Sequence, residues 1–527
     1  MKMKIYKILT VLLTVGLVFG SCDTEELTNL NIDPLAANEV DPGYILAYTQ
    51  LQTSGERYEN WRAQLIYQST MMQIFATLPG YWSGDKYLRN SGYSSSLWDR
   101  AYRNYVKDLV NLIELTDPET VGDNSQINYH AMARIWKAYA FSRLTDLHGD
   151  IPYSEAGLGF IDNIFQPVYD TQESIYADML NELEVAAGLL TSAEASPGGQ
   201  DLIYGGDIDQ WRKFSYSLMF RLGMRMSKVD PGLAQTWVGK AIAGGVMESN
   251  ADIAKIEHTI GPAGINENGI GNVFNWNGDR YATDDSPRLS KTLVDFMKNT
   301  NDPRLGRLSW VKDSPNDQYD PALAFQDALG MPNGFDSNTI QDWPDFIPDN
   351  NLDNFSRIKP DFVLRSSPMV FQSYAEICFL YAEAFERGWA GSAPGTAAAW
   401  YANGVQAAME MYGQLYGDAV AVDPAEIAAY IAANPYLGGE DGMRQIGEQV
   451  WIATINNFYE TFANWRRTGY PVLTPVNYPG NVTNGTIPRR LEYSQGEASV
   501  NADNYEAASQ RMGGDLFTSR VWWDPAN

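Results

Sequence analysis

The stretch LPGYWSGDKYLRNSGY, residues 78–93, interleaves Tyr81, Trp82, Tyr87 and Tyr93 with Asp85, Lys86, Arg89 and Asn90. Sugars present apolar C–H faces edged by hydroxyls, so flat rings set among hydrogen-bonding groups are suited to hold them. A second stretch, NVFNWNGDRYATDD (272–285), offers Trp276 and Tyr281 among Asn275, Asn277, Asp279 and Arg280, and a third, IQDWPDF (340–346), offers Trp343 and Phe346. Clustered exposed rings mark contact sites. The competing reading is that the rings turn inward and pin their loops. Tyr81, Trp82, Tyr87, Trp276, Tyr281 and Trp343 are the candidate ligand-binding residues.

No residue pattern specifies covalent chemistry. His130, His148 and His258 are too scattered for a zinc site, and neither HExxH nor paired CxxC occurs. GxSxG is absent, as is a phosphate-cradling loop behind a strand. A glycosidase would need two carboxylates about 5–10 Å apart in a cleft, which abundant Asp and Glu could supply in space. DNNLDN (349–354) provides oxygen ligands without EF-hand spacing, so a structural calcium has little to support it and no cofactor is expected.

The chain has two cysteines, Cys22 and Cys378. Before Cys22 stand Lys2, Lys4 and Lys7, an apolar run from Ile8 to Phe19, and the small residues Gly20 and Ser21. This is the layout of an export signal, and the run is shorter than the ~20 residues a membrane span needs. The ending GSC resembles the lipobox of bacterial lipoproteins, which implies cleavage after Ser21 and lipid on Cys22. Asp23, Thr24, Glu25 and Glu26 resemble the acidic tag that sends Bacteroidetes lipoproteins to the outer face of the outer membrane. Residues 1–21 then form a signal peptide and 22–40 a lipidated acidic tether. Several acyl chains, at about 0.8 kcal/mol per buried methylene, make a lasting anchor.

The 527 residues carry a formal charge of −27, with 65 acidic against 38 basic side chains. Such a surface repels phosphate backbones, which argues against nucleic acid as a partner. With 44% hydrophobic and 13% aromatic residues the chain can bury a large core, and packing rather than disulfides must stabilise it.

The loops need a scaffold, and the dominant period is helical. Met132, Ile135, Trp136, Tyr139, Ala140, Leu144 and Leu147 recur at steps of three and four before Gly149 and Pro152 stop the helix. The same spacing predicts helices over 172–190, 208–228, 232–243, 288–299, 367–387, 396–415, 424–433 and 443–457. Between about 258 and 366 the pattern gives way to Gly, Pro, Asn and Asp, and a second irregular region begins near 470. The expected fold is all-α: one domain over 41–527, with helices paired across short turns as in tetratricopeptide scaffolds, and a long loop-rich insertion. A clean repeat of about 34 residues is not visible.

Seven blocks carry a resemblance: ARIWKAYAFSRLTDLHGDIPYSEA (133–156), DLIYGGDIDQWRKFSYSLMFRLGMRMS (201–227), SPRLSKTLVDFMKNTNDPRL (286–305), SYAEICFLYAEAFERGW (373–389), QVWIATINNFYETFANWRRTGYPVL (449–473), IPRRLEYSQGEASVN (487–501) and RVWWDP (520–525). In this order, behind a lipobox, they resemble the SusD/RagB family of surface nutrient-binding lipoproteins, in particular its SusD-like subgroup. The resemblance implies a tetratricopeptide-like core, no catalysis, ligand contacts from loops crossing the scaffold, and a partner: a SusC-like TonB-dependent barrel that receives an oligosaccharide or peptide captured outside the cell. It transfers no fixed ligand motif. Trp136, Tyr139, Tyr374, Glu376, Glu383, Arg466 and Arg467 read as packing and helix-tying residues. Two other functions stay open, a surface that docks proteins or peptides and a surface glycoside hydrolase.

Overall fold

Seven of the long helices begin where a side chain satisfies a first free N–H group. The computed structural model describes residues 40–274, 287–310, 321–346 and 355–526. Helix α1 spans Pro42–Ser54 and α2 Lys107–Thr116. Helix α3, Ile127–His148, ends at Gly149 as its sequence predicts. Thr171 caps α4 (Gln172–Leu189), Asp207 caps α5 (Ile208–Arg225), and Asp230 with Pro231 opens α6 (Pro231–Gly244). Farther on, Ser290 caps α7 (Lys291–Asn299), Ser373 caps α8 (Tyr374–Glu386) and Thr396 caps α9 (Ala397–Tyr416). A capping box from Asp423 and Glu426 starts α10 (Pro424–Ala433), followed by α11 (Gly439–Ala453) and α12 (Phe458–Thr468).

Consecutive helices pack as pairs: α3 on α4, α4 on α5, α5 on α6, and α8 on α9. This is the tetratricopeptide-like arrangement, and it makes the chain mainly α-helical. Among the described residues, strands form only two-stranded ladders. Residues 42–527 share one compact unit. Its centre is aromatic: Trp136 stacks on Tyr139 at 4.8 Å and meets Phe371 edge-on at 5.0 Å.

Three helix starts depart from the periodicity. The pattern predicts a helix from 288, but Arg288 and Leu289 pair antiparallel with Ala76 and Phe75, so α7 waits for Ser290. Likewise 367–373 includes the strand Met369–Gln372, paired with Ala254–Ile256, before the cap at Ser373. Helix α11 begins four residues ahead of the expected 443, at Gly439. The helix α12 and the segment 42–69 lie beyond the predicted set.

Charged residues at the motif positions tie helices together inside the core. Arg467 forks onto Glu383 at 2.5 and 2.7 Å, Arg221 onto Glu376 at 2.6 Å, and Arg225 reaches Glu460 at 2.6 Å. The three histidines are buried, each with Nδ1 beside a backbone carbonyl 3.0–3.1 Å away. Burial lowers the His148 pKa to about 3, keeping that ring neutral. No helix of the described residues is long and apolar enough to cross a membrane, and no cluster of potential metal ligands occurs among them. DNNLDN lies outside the described residues.

Candidate functional site

The candidate site starts from an unusual winding. Residues Asn60–Ser69 form a π-helix directly after the short helix Arg57–Glu59. Such i→i+5 segments are rare and occur often at functional sites, because the wider turn redirects side chains. Here it presents Trp61 outward beside Tyr58. Tyr58 is 45% exposed, and its ring lies 6.2 Å from that of Trp61. The loop that follows lays Tyr81, 39% exposed, edge-on against Trp61 at 6.0 Å. Tyr93 completes the group, also 6.0 Å from Trp61. Four rings from three chain segments therefore share one partly exposed platform.

Two arginines stand against it. Arg57 lies 5.3 Å from the Tyr58 ring and 5.9 Å from Trp61. Arg62 lies 5.2 Å from Tyr58 and 5.0 Å from Tyr93. Beneath them Glu59 is fully buried, and burial pushes its carboxyl up to about 7 against the pull of Arg143 and Arg100.

The loop is fastened from below. Asp85 and Lys86 form a fully buried ion pair at 2.9 Å, and Lys86 Nζ also donates to the Thr77 carbonyl at 2.8 Å. These two residues hold the turn rather than face solvent. Tyr87 takes a left-handed conformation (φ 53°) and is 1% exposed; its hydroxyl accepts from the Val476 amide at 3.2 Å, and its carbonyl from Val482 at 3.0 Å. Trp82, 2% exposed, belongs to the main core. Gly84 is required by contact: a Cβ there would stand 2.1 Å from the Ile66 carbonyl oxygen of the π-helix. Gly84→Ala is expected to push the loop off that helix at a cost of about 1–3 kcal/mol, read as a lower thermal midpoint together with altered tryptophan fluorescence.

Of the sequence-derived candidates, Tyr81 alone among those described presents its ring at the platform. Trp82 and Tyr87, expected at the ligand, instead turn inward and are buried with the main core. Trp343 is a third. It packs with Ala76, Leu78, Met331, Ile340 and Phe355 in a satellite cluster, 6.1 Å from the Phe355 ring, where it braces the base of the same loop. Trp276 and Tyr281 lie outside the described residues. The segments flanking them are informative: helix Gly269–Phe274 packs on residues 57–69, and Arg288–Leu289 pairs with Phe75–Ala76. Sequence reasoning missed Tyr58, Trp61, Arg57 and Arg62, although ERYENWR shows the same alternation of rings and charges as the loops.

A cleft of about 510 Å³ opens beside the 474–477 strip that holds Tyr87. Gln73, Thr292, Asn333, Phe335, Thr474 and Asn477 are among its lining residues. Its size falls within the range of small-molecule sites. Near it, Tyr478 donates to Asp336 at 2.5 Å and holds that carboxyl down at about 2.

Comparison with known proteins identifies the family and the fold. A SusD-like family model described as "Starch-binding associating with outer membrane" matches residues 34–494. A solved chitin-binding protein is 33% identical and superposes with a TM-score of 0.80 over 92% of this chain and 100% of its own. A Bacteroidetes SusD-like structure is 29% identical (TM-score 0.78; 92% and 100% covered). A chitin-binding SusD homologue from Flavobacterium johnsoniae is 26% identical (TM-score 0.74; 92% and 98% covered). No curated protein matches the chain.

Proposed function

Because the chain belongs to the SusD-like family, whose description is of starch-binding proteins associating with the outer membrane, we propose that it captures an oligosaccharide at the cell surface and passes it to a SusC-like TonB-dependent transporter. The observation that carries this reading is the platform of Tyr58, Trp61, Tyr81 and Tyr93, whose partly exposed rings suit the C–H faces of sugar rings. Chitin binding by two structural relatives points the same way. The described residues on either side of 275–286 pack on residues 57–76, and Trp276 and Tyr281 are proposed to add further rings.

The protein binds and releases without bond cleavage. Of the carboxylates near the site, Asp85 is committed to Lys86, Asp295 to Lys291 and Asp336 to Tyr478. Lipid on Cys22 supplies the anchor, and neither metal nor cofactor takes part. Calorimetric titration of residues 27–527 with chito- and malto-oligosaccharides tests the capture step. Micromolar-to-millimolar binding with no product on prolonged incubation supports it. Binding of peptides alone would favour a docking protein, and turnover would favour a hydrolase. For the anchor, Cys22→Ala in the full chain is expected to move the protein from the membrane fraction to the soluble fraction on cell fractionation.

A further inference from the structure

The platform holds one cation that its neighbours do not neutralise. Arg62 is set between the rings of Tyr58 and Tyr93, and among the described residues no carboxylate forms an ion pair with it and no acceptor meets its donors. Its Nε is buried without a hydrogen-bond partner, while the residue as a whole stays partly exposed. The arginines around it are differently placed. Arg100 bonds Glu56 and Gln52, and Arg143 bonds Glu59 and the Thr53 carbonyl. In a chain with 65 acidic against 38 basic residues, an arginine left without an acid at the ligand platform is conspicuous.

We propose that the platform selects an acidic oligosaccharide, one whose sugar carboxylate pairs with the Arg62 guanidinium while its rings stack on Trp61 and Tyr81. The proposal rests on the carbohydrate reading above and narrows it. A guanidinium lying against aromatic faces keeps its N–H fork in plane and free at the edge, the geometry that takes a carboxylate in two parallel hydrogen bonds. The rings on either side restrict the side chain before the ligand arrives, so little rotamer freedom remains to be lost. An uncharged sugar hydroxyl would leave the charge without a counter-ion. An acidic peptide would supply the carboxylate but has no flat apolar face for Trp61 and Tyr81.

The test uses oligomers of galacturonate, mannuronate and an N-acetylglucosamine–glucuronate repeat, each beside its methyl ester, titrated into wild type, Arg62→Gln and Arg62→Lys. At least one acid form is expected to bind about tenfold more tightly than its ester. Arg62→Gln should abolish that preference, with a larger loss for the acid than for the ester, and Arg62→Lys should retain part of it. Equal affinity for acid and ester, or an equal loss of both in Arg62→Gln, overturns the proposal. Binding of chito- or malto-oligosaccharides with no uronate bound also overturns it and leaves the capture function standing. Binding of an acidic hexapeptide but no sugar overturns both.

Discussion

Trp61→Ala is expected to weaken oligosaccharide binding by about 2 kcal/mol, some thirtyfold, while the thermal midpoint stays close to wild type. Trp61 is the ring that the other three all approach, at 6.0–6.2 Å, so its loss opens the centre of the platform. It is also partly exposed, and truncation creates no sealed cavity. Tyr81→Ala should have the same character and a smaller effect, since Tyr81 meets one platform ring edge-on. Trp82→Ala is the informative contrast. The Trp82 side chain is buried at 2% exposure, and emptying its volume costs about 3–5 kcal/mol of stability. Calorimetry and thermal denaturation on the three variants therefore separate recognition from support. Equal loss of binding and stability in all three would remove the platform as the ligand site.

The second large effect lies at the Glu383–Arg467 pair, where Glu383→Gln should cost about 3–5 kcal/mol at neutral pH by leaving Arg467 buried without its counter-charge. Its pH signature is specific. Burial alone would raise the Glu383 carboxyl, but Arg467 and Arg387 outweigh that and hold it down at about 2, below its ordinary value of 4.5. The unfolded chain then binds the proton before the folded chain does as pH falls. The pair's contribution is full above pH 4.5 and is lost as pH drops towards 2. Urea denaturation at intervals from pH 7 to pH 2.5 should show a steeper acid decline for wild type than for Glu383→Gln, with the two curves converging at the acid end. Parallel curves would mean that the carboxyl titrates alike in both states.

These effects also indicate where sequence was enough. Helices with both a cap and an apolar stripe were legible: Asp423, Pro424 and Glu426 mark α10 to the residue, and Gly149 ends α3. The starts of α7 and α8 were obscured because short strands precede them, and a strand's partner, such as Phe75 for Leu289, is set by tertiary structure. The site was legible in part. Residues 78–93 do carry Tyr81 and Tyr93 of the platform, but side-chain direction in a loop has no period to read, so Tyr81 could not be told from Trp82 or Tyr87. Trp61 was hidden for the opposite reason. In NWRAQLIYQS it reads as one more ring on a helical stripe, and the π winding of that segment leaves no mark in composition.

The buried Asp85–Lys86 pair at the heart of the loop has a consequence for how such a protein can change its diet. Everything that fastens the loop, from Gly84 through Tyr87, is buried, while Tyr81 before it and Tyr93 after it belong to the partly exposed platform. The anchor and the reader are thus different letters of one short word. If the platform reads the glycan as proposed, substitutions at the outward positions rewrite which glycan is recognised without loosening the clasp, and a lineage follows new food sources through a handful of point changes on an unaltered frame.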